Sequence, residues 1–182
     1  MTNTSDAVTE RLAELRTGFD RSFAEPPRRH DLETSELLAI RAGDSRYVLR
    51  LSQTSGLFSD RPVTPLPGPV SALLGIAGFS GAIVPVYDLG ALLGQSVAES
   101  PRWLVLAAGV PALALAFHEL DGHLRVPTES IVGEAERHAA RGCLRGMVPL
   151  PGGTRAIVDV PSVRMAVHAL TGHVHANEER GK

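Results

Sequence analysis

Few side chains in this sequence have the type and spacing to do chemistry, and each set can be held against what its reaction would need. His173 and His175 stand two apart with His168 close by, but the pair falls in the polar stretch HVHANEERGK, with no Cys or carboxylate at matching metal-ligand spacing. His118 and His123 flank Asp121-Gly122, which reads as a turn, and half-exposed strand histidines are the simpler reading. Cys143 is the single cysteine; it permits neither an internal disulfide nor a CxxC metal knuckle, has no base beside it, and reads as a buried apolar residue. Gly78-Phe79-Ser80-Gly81-Ala82 approaches the nucleophile elbow G-x-S-x-G, but the last glycine is displaced by one, and the strand-like run AIVPVY follows where a helix is needed. Ser80 therefore reads as a turn residue. Gly75, Gly78 and Gly81 form neither G-x-G-x-x-G nor a P-loop. Gly81 is expected to supply a positive φ in a hairpin turn, and Gly75 to permit close backbone approach. Asp88 and Asp159 would make an acid/base pair if they met, but each stands just before LGALLG or VPSVRMA, where a helix N-cap belongs. Capping is expected of both. No metal or other cofactor is expected. So thin an inventory favours a protein that binds through shape and apolar strips over an enzyme.

Composition narrows the classes further. Of 182 residues, 43% are apolar, 21% charged and 4% aromatic, which fits one compact soluble unit or two small ones and excludes a disordered or fibrous chain. The formal charge of −2 leaves no basic excess to neutralise a run of phosphates, so nucleic acid is not an expected partner. Eighteen glycines and thirteen prolines suit short strands and turns, pointing to an all-β fold. The longest apolar run, 103–117, is broken by Gly109-Val110-Pro111 and falls short of the roughly 20 residues of a membrane span; it reads as two buried strands around a turn, without membrane insertion. MTNTSDAVTE lacks the basic start and apolar core of a signal peptide, so a cytoplasmic location is the expectation.

The elements follow from periodicity. Val8, Leu12, Leu15, Phe19 and Phe23 recur at helical spacing and predict an amphipathic helix over 1–25, followed by a polar linker over 26–36 that opens on Pro26-Pro27. From Leu37 the period becomes two: Tyr47, Leu49 and Leu51 share a face that Arg46, Val48 and Arg50 do not. GIAGFSGAIVPVYD gives two apolar runs meeting at Ser80-Gly81, a hairpin. A weak repeat is also present. At an offset of 71, Gly75, Gly81, Val86 and Asp88 match Gly146, Gly152, Ile157 and Asp159; at an offset of 66, Leu38, Tyr47, Leu49 and Leu51 match Leu104, Leu113, Leu115 and Phe117. Each half reads as a hairpin, an irregular stretch and a second hairpin. Strands so few cannot bury both faces of an open sheet, so each half is expected to close into a small barrel, the two being discontinuous and covering roughly 37–100 and 101–170, and to pack against the other. VRMAVHAL predicts a last turn or two of helix, and 171–182 a frayed tail.

The stretch LLGIAGFSGAIVPVYDLGALLG resembles the signature of CheW-like domains, in which an apolar-Gly-apolar strand, an Arg-Gly turn and a V-P-V-x-D-L strand follow one another. TPLPGPVSALLG, HLRVPTESIV and LRGMVPLPGGTRAIVDVPSV extend the resemblance over 37–170. It implies two packed five-stranded barrels of the Src-homology-3 type. The implied function is a non-catalytic adaptor of chemosensory signal transduction, with the regulatory domain of a CheA-type histidine kinase and the cytoplasmic tip of a methyl-accepting chemoreceptor as partners. Gly75 and Gly81 match the family's glycines, and Val84-Pro85-Val86 with Asp88 match its strand; Ser80 stands where Arg is usual, and Thr54 and Gly56 where an apolar residue and a Glu are usual. The partner-binding residues so implied are Thr54, Gly56, Gly75, Phe79, Ser80, Gly81 and Val84. Two other readings stay open. One is a specialised adaptor or decoy that binds a single partner, prompted by the altered positions; the other is a small enzyme or ligand sensor around His118, His123 and Cys143. The stripe of the 1–25 helix would dock on the protein's own barrels or on a partner.

Overall fold

The computed structural model describes residues 33–96, 101–138 and 142–180. The expected helix over 1–25 and the linker as far as residue 32 lie outside them. Twelve strands are described: β1 (Thr34–Ala42), β2 (Ser45–Arg50), β3 (Thr54–Ser59), β4 (Thr64–Pro65), β5 (Leu73–Phe79), β6 (Ala82–Asp88), β7 (Trp103–Ala107), β8 (Ala114–Phe117), β9 (Glu119–Pro127), β10 (Val132–His138), β11 (Leu144–Leu150) and β12 (Gly153–Val158). Two helices, α1 (Leu89–Leu92) and α2 (Val160–Arg180), follow β6 and β12. Among the described residues no helix is long and apolar enough to cross a membrane.

The strands build two six-stranded sheets, in the orders β10-β11-β12-β2-β1-β9 and β4-β5-β6-β8-β7-β3. Read along the repeat, the two orders are the same. Each sheet takes its last four strands from one half of the chain and its opening hairpin from the other. The joints are the two parallel pairs, Ile157 beside Val48 and Val86 beside Ala114. The expectation that 37–100 closes one barrel and 101–170 the other is therefore corrected: β1 and β2 leave their own half and pair with β12 and β9. The 3-10 turn Leu51–Gln53 carries the chain out of the first sheet into the second, and β9, after β8, carries it back. In the second sheet β3 and β5 lie far apart along the ladder, yet Phe58 of β3 meets Phe79 of β5 edge to face at 5.0 Å, so the sheet curls into a barrel.

Among the described residues, three apolar clusters fill this frame. Leu37, Val48, Val148 and Ile157 pack within the first sheet, and Phe79, Val84, Val86 and Leu104 within the second. The largest cluster spans both sheets and both helices: Ile40 and Leu49 meet Leu115 and Phe117, with Leu89, Leu92, Val163 and Val167 against them. The barrels are thus joined by a common interior.

Local corrections have local causes. Residues 34–36, expected in the linker, belong to β1 because their backbones pair with 125–127 of β9, a ladder that asks nothing of side-chain polarity. Asp121-Gly122 is no turn: β9 runs through it as a bulge opposite Ala39 and Ile40, with Gly122 at φ 148°. The expected frayed tail is helical to Arg180, since no proline after Pro161 interrupts it.

The paired aspartates cap as their positions predict. Asp88 Oδ1 accepts the Ala91 N–H at 2.7 Å, and Asp159 Oδ2 accepts the Ser162 N–H at 3.2 Å. Their own N–H groups bond Ala72 and Cys143, each at 2.8 Å, so the repeat holds to the single hydrogen bond. At Asp159 burial works against ionisation, but the Ser162 hydroxyl, the Gln53 side-chain amide, the Ser162 N–H and the charge of Arg145 outweigh it and hold the carboxyl below its ordinary value. A carboxyl depressed in the folded state adds stability above its unfolded pKa of about 4 and loses it as pH falls through the folded value. Asp159→Ala is expected to cost about 1–2 kcal/mol at pH 7. Thermal melts of variant and parent should converge as pH falls below about 4; a gap unchanged at acid pH would show that the charge is not involved.

Candidate partner-binding site

The β5–β6 hairpin gathers five of the seven expected site residues. Its two-residue turn has Ser80 at φ 48° and Gly81 at φ 84°, both positive, the type I′ geometry that suits the twist of a hairpin. Both turn residues are exposed. The other three are buried. Phe79 and Val84 are 4% and 2% exposed within the second barrel's cluster, and Gly75 is buried beneath β4. A Cβ on Gly75 would lie 2.0 Å from the Thr64 carbonyl oxygen, so glycine is what lets β4 seat on β5. These three shape the barrel wall beneath the surface.

Thr54 and Gly56 lie on β3, half-buried, on either side of a bulge against β7. The Thr54 hydroxyl donates to the Leu51 carbonyl at 2.8 Å, and a Cβ on Gly56 would press the Phe58 ring at 2.8 Å. Both positions are therefore tied to the turn and ring that support this end of the barrel.

Sequence reasoning missed Arg61. It stands in the β3–β4 connection, with its guanidinium 5.0 Å from the Phe58 ring centroid and 5.1 Å from that of Phe79, and it donates to the Gly78 carbonyl at 2.6 Å. No spacing in the sequence announces this, because the contact depends on barrel closure. Just before it, Asp60 takes a positive φ of 53°, gives its N–H to the Arg102 carbonyl at 2.8 Å and pairs with the Arg102 side chain at 3.2 Å.

The remaining candidates do not assemble. Cys143 is fully buried in the common interior, His118 is half-buried and His123 is exposed on β9. Among the described residues no group of three His, Cys, Asp or Glu stands close enough to hold a metal ion. The side chains of His173 and His175 lie outside the described residues. A groove of about 800 Å³ lies between β6, the β7–β8 connection and α2, with Ile83, Val110 and Met165 on its walls at 74%, 91% and 69% exposure. The candidate site is a surface of strand edge, hairpin tip and apolar wall.

The chain as a whole has relatives. A protein of Rhizobium meliloti described as chemotaxis protein CheW is 30% identical over 118 residues, covering 60% of this chain and 76% of its own. A protein of Rhizobium etli described as probable chemotaxis protein CheW matches with the same identity and coverage. The crystal structure of the scaffolding protein TtCheW from Thermoanaerobacter tengcongensis superposes with a TM-score of 0.60 over 68% of this chain and 88% of that one; at 15% identity it speaks for the fold, two barrels of the Src-homology-3 type. The model of the CheW-like domain matches residues 36–166. With those residues comprising both sheets, the chain is a member of the CheW-like domain family.

Proposed function

We propose that this chain is a non-catalytic cytoplasmic adaptor of a chemosensory pathway, joining the cytoplasmic tip of a chemoreceptor to the regulatory domain of a CheA-type histidine kinase. The observation that carries the reading is the family match over 36–166, which takes in both sheets and the first turns of α2. The geometry supports it. Two barrels on a common interior present separate surfaces at a fixed relation, which is what joining two proteins requires. Ile83, Val110 and Met165 are large apolar side chains left in water, a cost a free-standing protein gains nothing from and an interface recovers. Each contact is expected near the standard size of about 800 Å² per partner or somewhat smaller, as suits an assembly that exchanges. Thr54, Gly56, Ser80 and Gly81 belong to this proposal as surface positions, and Gly75, Phe79 and Val84 as their support.

Titration calorimetry of the full chain against the kinase regulatory domain, and separately against a soluble receptor fragment, tests it. Micromolar binding to both is expected. Binding to one alone narrows the chain to a single-partner adaptor, and no heat with either up to high micromolar overturns the adaptor reading.

A further inference from the structure

The exposed tip of the β5–β6 hairpin has no charge of its own, since Ser80 and Gly81 make the turn. The cation beside it comes from another part of the chain. Arg61 reaches back over Phe58 and Phe79 and bonds the Gly78 carbonyl, two residues before the turn. We propose that Arg61 is an interaction residue that takes an Asp or Glu carboxylate of a protein partner, so that this end of the second barrel recognises an acidic surface. The proposal rests on the adaptor reading and names the chemistry of one of its contacts.

Three observations carry it. First, the guanidinium is held. A hydrogen bond and two ring faces fix its position, so little side-chain freedom remains to be lost on binding. Second, it is unspent. A guanidinium has five N–H donors in a planar fork, and the Gly78 carbonyl takes one. Arg41, Arg102, Arg125 and Arg155 each face a carboxylate, whereas Arg61 has none among the described residues; the acid next to it, Asp60, is committed to Arg102. Third, the backbone is bent to place it. Asp60 sits at a positive φ that costs a non-glycine residue energy, and its hydrogen bond to Arg102 holds the bend that returns Arg61 over the ring of its own strand.

A plainer role is cover. β4 pairs with β5 only at Gly75 and Ile76, and Arg61 shields the strand edge and rings beyond that point. The two roles separate by experiment. Arg61→Ala, Arg61→Lys and Arg61→Glu in the full chain are titrated against the kinase regulatory domain and the receptor fragment, with a thermal melt of each variant. An anchor predicts that, against one partner, Arg61→Ala weakens binding about tenfold and Arg61→Glu about a hundredfold, while the other partner binds as before. Arg61→Lys should recover part of the Arg61→Ala loss, and added salt should weaken the parent more steeply than Arg61→Ala. Lysine in place of the matching partner carboxylate should restore the Arg61→Glu variant. Folded Arg61→Glu that binds both partners within twofold of the parent overturns the anchor and leaves the adaptor standing, with any drop in melting temperature then reporting cover alone. A parent chain that binds neither partner overturns both.

Discussion

Gly75→Ala is expected to cost about 3 kcal/mol or more of unfolding free energy, an unusual loss for adding one methyl group. The added carbon would fall 2.0 Å from the Thr64 carbonyl oxygen, 2.7 Å from its carbon and 2.9 Å from the Pro65 Cα. All three are backbone atoms of β4, so no flexible side chain can yield, and either β4 lifts away or β5 distorts. The φ of 149° adds a second penalty, because side chains rarely adopt it. Gly78, three residues along the same strand, is the control: a Cβ there meets nothing within 4 Å and needs no positive φ, so Gly78→Ala should change stability by less than about 1 kcal/mol. Urea unfolding of the two variants decides the matter. Equal midpoints would show that β4 does not press on Gly75.

Phe117→Ala is expected to cost about 3–5 kcal/mol, a large share of the roughly 5–15 kcal/mol typical of a folded domain. Phe117 is 1% exposed in the cluster that both sheets share, and it stands across the strand pair from Trp103, the single tryptophan. Trp103 fluorescence therefore follows the second sheet, while amide exchange at β1 and β2 follows the first. With one interior between them, both probes should report a single earlier transition. A loss below about 1 kcal/mol, or a first sheet that keeps its protection while Trp103 is already released, would show that the interior is not common to both.

What could be read from the sequence was what is local. The Ser80-Gly81 turn, the close approach at Gly75 and the two aspartate caps each depend on a few neighbouring residues, and each stands where its spacing put it. The exchange of hairpins was not legible. The offsets of 66 and 71 show that Val48 corresponds to Ala114 and Val86 to Ile157, but correspondence does not say which copy a strand pairs with; either choice satisfies the same side-chain pattern. Arg61 was missed for a related reason, since Phe79 lies eighteen residues away and meets it only once the sheet curls. The inward turn of Phe79 and Val84 was within reach: the alternation that buries Ala77 and Val86 also buries them, and the resemblance named their positions without saying which way they face.

The traded hairpins also say what a polypeptide of half this length would be. Built on the same plan, with its hairpin given away, its opening pair of strands would lie in the sheet of an identical neighbour. Such a molecule would exist only as an obligate twin, dissolving into unfolded chains on dilution. Tethering both copies in one polypeptide turns that bimolecular marriage into a unimolecular one, and the folded state no longer depends on how many copies a cell holds.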